Sequence, residues 1–85
     1  MTVAQRFGVN LARRRKGAGL SQEQLGLSAG LHRTEIGLLE RGARVPRIDT
    51  LLKLTAALGV AAADLLDGIT WEPGETQPGR FTLPS

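Results

Sequence analysis

The side chains best suited to recognition are gathered in one stretch, Gln22–Arg41, QEQLGLSAGLHRTEIGLLER. His32, Arg33 and Thr34 are consecutive, Gly37 and Leu38 follow one turn later, and Arg41 and Arg44 lie just beyond. An arginine fork fits a guanine edge through O6 and N7, or a phosphate, and a leucine can pack on a thymine methyl. Bond-making chemistry has no comparable set. There is no cysteine, and the single histidine has neither a Ser/Asp partnership nor a second ligand at metal-binding spacing. No glycine-rich loop follows a strand to cradle phosphates. Asp64 and Asp67, three residues apart on a short helix, read as solvated acids. No catalysis, cofactor or metal is therefore expected.

To present those residues, the stretch must fold as two short helices with a reversal at Gly30. The apolar or small positions Leu25, Gly26, Ala29, Leu31, Ile36 and Leu39 are spaced for two helices crossing steeply over a shared core. Gly26 permits close approach, and Gly30 suits the left-handed residue that ends a helix. Ser21 with Gln24 makes a capping-box pattern before the first of the two helices, whose opening N–H groups at Gln22 suit a phosphate oxygen. The second covers 33–41 and ends at Gly42. His32 serves there as its cap or as a hydrogen-bond partner for a phosphate. Gly37 in mid-helix costs about 1 kcal/mol relative to alanine, which suits a face lying close against DNA or a neighbouring backbone.

Around this pair the chain offers three more helices. Residues 2–17 place Val3, Phe7 and Leu11 along one face, with Thr2 as cap and Gly17–Gly19 as terminator. The loop GARVP leads to a helix over 47–58, with Leu51, Leu54 and Leu58 inward and Gly59 as its stop. A short helix over 60–66, without a Ser, Thr or Asp at its start, closes the core with Leu65 and Leu66. Residues 68–85 change character: Ile69–Trp71 and Arg80–Leu83 read as two short strands about a turn-rich segment. The expected fold is all-α: a five-helix domain over 1–67 with a C-terminal tail, 68–85, that can form a β-hairpin.

The chain has 85 residues and a net charge of +3, unevenly spread. Residues 1–47 hold nine Arg/Lys against three Glu, and residues 48–85 hold two against five acids. A basic half containing the recognition stretch, with Arg13, Arg14 and Lys16 beside it, is the footprint of a polyanion-binding protein. No apolar run reaches the length of a membrane span, and the N-terminus lacks the apolar core of a signal peptide, so a cytoplasmic protein is expected.

From about Phe7 to Leu66 the sequence resembles the phage repressor/Cro class of helix-turn-helix regulators, the Xre family. The likeness rests on LSQEQLG, the turn AG, and LLERGARVPRIDTLLKLTAALGV. It implies a dimeric, sequence-specific regulator bound to double-stranded DNA. It further implies that Arg33, Thr34, Gly37 and Leu38 meet base edges while Gln22 binds the DNA backbone. His32, Arg14, Arg41 and Arg44 are the other phosphate candidates. In that family the positions of Arg15 and Glu40 form a partly buried ion pair, and the dimer contact lies near 58–66. Leu58, Val60 and Leu66 are the corresponding interface candidates; Trp71 and Phe81 of the tail join them where the hairpin packs across the two-fold, the other readings being that it packs back on its own subunit or orders only on another protein. The alternative reading is an antitoxin whose tail neutralises a toxin enzyme while the domain binds its own promoter.

Overall fold

Three of the five helices begin at a residue whose side chain receives backbone N–H groups that no carbonyl of the helix reaches. In a computed structural model describing residues 1–84, α1 (Val3–Gly17) starts at such a cap. Thr2 Oγ1 accepts from the Gln5 N–H at 3.1 Å, and Gln5 Oε1 accepts from the Thr2 N–H at 2.9 Å. Ser21 and Gln24 repeat the arrangement for α2 (Gln22–Ala29). Gly30, at φ 69°, turns the chain, and the Leu31 N–H closes back onto the Gly26 carbonyl at 2.8 Å. Next come α3 (Arg33–Glu40), α4 (Ile48–Leu58) and α5 (Ala62–Leu65). Two strands, β1 (Thr70–Glu72) and β2 (Arg80–Thr82), pair antiparallel with Trp71 opposite Phe81.

The core is one cluster: Phe7 and Leu11 from α1, Leu25 and Ala29 from α2, Ile36 and Leu39 from α3, Leu54 from α4 and Leu65 from α5. Fully burying each large apolar side chain contributes about 1.5–3 kcal/mol, the main force holding five short helices together. Several sequence expectations need adjustment. Val3 is only half-buried; the inward face of α1 is completed instead by Gly8 and Asn10. Of the pair expected to close the core, Leu65 does so while Leu66 is 40% exposed. Leu51 and Leu58 pack at the core's edge, and only Leu54 of α4's leucines is fully inside. Residue 60 does not begin α5, because the Asp64 carboxylate accepts from the Ala61 N–H at 2.9 Å and fixes the start there. Arg47 caps α4 rather than joining it, and Arg41 likewise ends α3 from outside. Ile69 packs against the core, so β1 begins one residue later than expected.

Two glycines set the distances between helices. A Cβ on Gly26 would stand 2.5 Å from the Leu31 carbonyl oxygen, so α2 lies directly against the start of the next helix. A Cβ on Gly8 would stand 2.5 Å from the carbonyl oxygens of both Leu39 and Glu40, at the C-terminus of α3. These obstacles are backbone, which cannot swing aside as a side chain can. Gly8→Ala should therefore cost about 1–3 kcal/mol in urea unfolding, despite alanine's better helix propensity. A neutral or stabilising result would show that α1 and α3 are not in backbone contact.

Candidate nucleic-acid interface

The exposed side of α3 is organised by its first turn. His32 is the N-cap: its Nδ1 accepts the Thr34 N–H at 3.0 Å and lies 2.9 Å from the Thr34 hydroxyl. The cap assigns the proton of a neutral ring to Nε2, a donor suited to a phosphate oxygen. Arg33 extends from the same turn, its side chain 65% exposed, with Nη1 3.6 Å from Glu23 Oε2 at the start of α2. Leu38 lies one turn after Thr34 and is half-buried. In the loop after α3, Arg44 is paired with Glu35, and Arg47 stands 3.4 Å from Asp49 with its side chain 86% exposed.

Such exposed pairs are worth about 0–1 kcal/mol each in water. A phosphate or guanine can therefore take over Arg33 or Arg44 at little cost. Until then the carboxylates hold both guanidinium groups near α3. Arg41 makes no ion pair among the described residues.

Two assigned positions sit differently from expectation. Gly37 is buried: a Cβ there would stand 3.0 Å from Arg41 Nη1 and 3.6 Å from Gln22 Oε1. Its missing side chain leaves the hollow into which those two polar chains fold. Arg14 points away from α2 and α3, with its guanidinium 3.4 Å from Asp64 of α5. Successive residues point about 100° apart around a helix, so Arg15, not Arg14, reaches α3.

Behind the exposed face, Arg15 and Glu40 form a bidentate pair. Arg15 Nε and Nη2 donate to the two carboxylate oxygens at 2.6 and 2.9 Å, with 11% and 8% of the two side chains exposed. Arg15 Nη1 also donates to the Leu20 carbonyl at 2.8 Å, and Gln22 Nε2 donates to Glu40 Oε1 at 3.2 Å. The hydrogen bond to Glu40 pushes the Arg15 pKa above its ordinary value, outweighing the opposing effect of burial. The pair thus ties together α1, the opening of α2 and the end of α3. Gln22, expected at the DNA backbone, gives one amide hydrogen to Glu40, and the opening N–H groups of α2 suit a phosphate.

Residues missed by the sequence reading are Gly8, Asn10 and Arg6. Gly8 was hidden because a lone glycine in a helical pattern usually marks nothing. Asn10 and Arg6 were hidden because their partners are backbone carbonyls more than fifty residues away. Among the described residues no group of three or more His, Cys, Asp or Glu could hold a metal. No helix there is long and apolar enough to cross a membrane.

A short helix held by its neighbours with arginines around its exposed first turn defines a repressor-like helix-turn-helix domain. The chain belongs to the helix-turn-helix family of DNA-binding transcriptional regulators, whose model, described as Helix-turn-helix, matches residues 11–65. It is 45% identical over 53 residues to control protein C.BamHI from Bacillus amyloliquefaciens, a match covering 62% of this chain and 65% of that protein. The crystal structure of the restriction-modification controller protein C.AhdI from Aeromonas hydrophila superposes with a TM-score of 0.71 at 39% identity, over 73% of this chain and 94% of that one. The P22 c2 repressor, solved in complex with a synthetic operator, gives 0.68 at 32% identity, over 73% and 94% of the two chains.

Proposed function

We propose that the protein binds double-stranded operator DNA as a two-fold dimer, with α3 in the major groove and each copy on one half-site. The observation carrying this reading is the first turn of α3, where Arg33 and Thr34 are exposed and the only partner of Arg33 among the described residues is an exposed carboxylate. Arg33 is the base-reading arginine, with Thr34 beside it and Leu38 one turn further on. Arg41, Arg44, His32 and the opening N–H groups of α2 hold phosphates and fix the register. One module touches few base pairs, so half-sites about one helical turn apart supply the rest of the specificity.

Selection of bound sequences from random DNA tests the reading. Arg33→Ala should flatten one position of the selected site, a loss of about 1–3 kcal/mol of discrimination. Arg44→Ala should weaken every sequence alike and reduce the dependence of log K on log salt by about one contact. An unchanged selected sequence with Arg33→Ala would remove that residue from base reading. Nothing in the comparisons supports the antitoxin alternative: the relatives and neighbours reported above are controllers and a repressor.

A further inference from the structure

The match to the family model ends at residue 65, and the β-hairpin lies beyond it. Its root is firmly held. The Asp67 carbonyl accepts from Arg6 Nε at 3.0 Å and Asn10 Nδ2 at 2.8 Å, and Ile69 packs on the core. Gly68 has φ +80°, and a Cβ there would stand 2.9 Å from Pro84 Cγ and 3.0 Å from the Arg6 guanidinium. Past the root, every residue of both strands is exposed. The hairpin is therefore an arm fixed in direction, and the molecule measures 46 Å along its long axis against 22 Å in the others.

The arm carries two aromatic rings in water. Trp71 and Phe81 meet edge-on with ring centres 4.9 Å apart, yet remain 51% and 53% exposed. The indole also lies over Gly79, where a Cβ would come to 2.6 Å, so its orientation is set within the hairpin. A two-stranded ribbon is at best marginal alone in water. Glu72 and Glu75 outnumber Arg80, which makes the arm a poor ligand for phosphate. What would cover it is an apolar surface with cations at its rim.

The body of the same chain has such a surface. A hollow of about 400 Å³ is lined by Leu58, Val60, Gly17 and Ala18, with Arg13 and Arg14 beside them. It is built from α1 and the α4–α5 region, so filling it leaves the exposed face of α3 free. Arginine over an aromatic ring is a favourable pairing, and the acids of the arm complement both guanidinium groups. We infer that the arm of one copy seats its Trp71–Phe81 pair in this hollow on a second copy and receives that copy's arm in return. The exchange rests on the dimeric reading above and gives that dimer its contact.

Trp71 is the chain's sole tryptophan and reports the exchange directly. In full-length protein, raising the concentration should shift its emission to the blue and protect it from iodide as sedimentation shows dimer forming. Phe81→Ser, in the arm, and Val60→Glu, in the hollow, should each weaken the dimer at least about tenfold and leave Trp71 quenchable. An equimolar mixture of the two variants should regain association, because one intact arm can still meet one intact hollow. Ala18→Phe fills the hollow from an exposed position and replaces Val60→Glu should circular dichroism show that variant unfolded. A mixture that fails to recover overturns the exchange, as does a dimer whose Trp71 stays open to iodide; the dimeric reading then stands. A chain that remains monomeric at high concentration, alone and on a two-half-site operator, overturns both.

Discussion

Arg15→Ala should destabilise the protein by about 3–5 kcal/mol, more than truncating any exposed arginine. The reason is the carboxylate left behind. The Glu40 side chain is 8% exposed and would lose both of its guanidinium hydrogen bonds, keeping only the 3.2 Å contact from Gln22. Breaking a buried pair from one side costs far more than the pair's net worth, because the survivor is charged and dry. A double-mutant cycle isolates the stranded charge. Once Arg15 is gone, Glu40→Ala removes the stranded charge, so the double variant should be more stable than the sum of the single losses predicts, by at least about 1 kcal/mol. The pH dependence follows from the raised Arg15 pKa. A raised basic pKa contributes stability that is complete below the unfolded value and is lost only as pH rises through the folded one. Raising the pH from 7 to 10 should therefore not erode this contribution. Additive losses below 1 kcal/mol in urea unfolding would mean that the pair does not hold α1 to α3.

The consequence for DNA binding is geometric. The same network holds the end of α3 and, through Gln22, the opening of α2. On the proposed reading, loosening it should tilt α3 against its phosphate contacts, so Arg15→Ala should lose operator affinity even at temperatures where it remains folded. Arg33→Ala, by contrast, should lose discrimination with little change in stability, because its partner Glu23 is exposed. Comparing the two separates a positioning defect from a reading defect.

The parts legible in the sequence are those written in local chemistry. Thr2 and Ser21 mark helix starts through side chains three residues from their partners. Gly30 and Gly59 mark stops by adopting the left-handed conformation, at φ 69° and 66°. The crossing of α2 and α3 was readable from Leu25, Gly26, Ile36 and Leu39, since period and small-residue placement are both local. Contacts spanning the chain were not. Nothing near Asp64 states that its carboxylate will start α5, because aspartate three residues into a four-residue helix looks like any solvated acid. Helical spacing places Gly37 on the exposed face and cannot show that Arg41 and Gln22 fold over it. Arg14 and Arg15 are adjacent arginines in an identical local setting. Only the positions of α3 and α5 on either side of α1 give them different partners.

Asn10 makes the case with the largest remaining consequence. It is 1% exposed, and its amide donates to the Leu65 carbonyl at 3.0 Å and the Asp67 carbonyl at 2.8 Å, while its Oδ1 accepts from Arg13 at 3.0 Å. A four-residue helix such as α5 cannot satisfy its own last carbonyls, so this one side chain closes the end of the domain and fixes the root of the hairpin. Asn10→Leu keeps the volume and removes both donors. Asp67 retains Arg6, but the buried Leu65 carbonyl is left without its donor, for a loss of about 1–3 kcal/mol. Asn10→Asp should be worse at neutral pH, by about 1 kcal/mol or more, because it turns a carboxylate oxygen toward two carbonyl oxygens. Arg13 would still hold the other oxygen, but its guanidinium is largely in solvent and screened. Both variants should also free the arm, so that amide exchange speeds up at Ile69–Glu72 before the rest of the domain opens. Should Asn10→Asp prove as stable as Asn10→Leu, with exchange at the hairpin root unchanged, the amide is not the clasp between α1 and the end of α5.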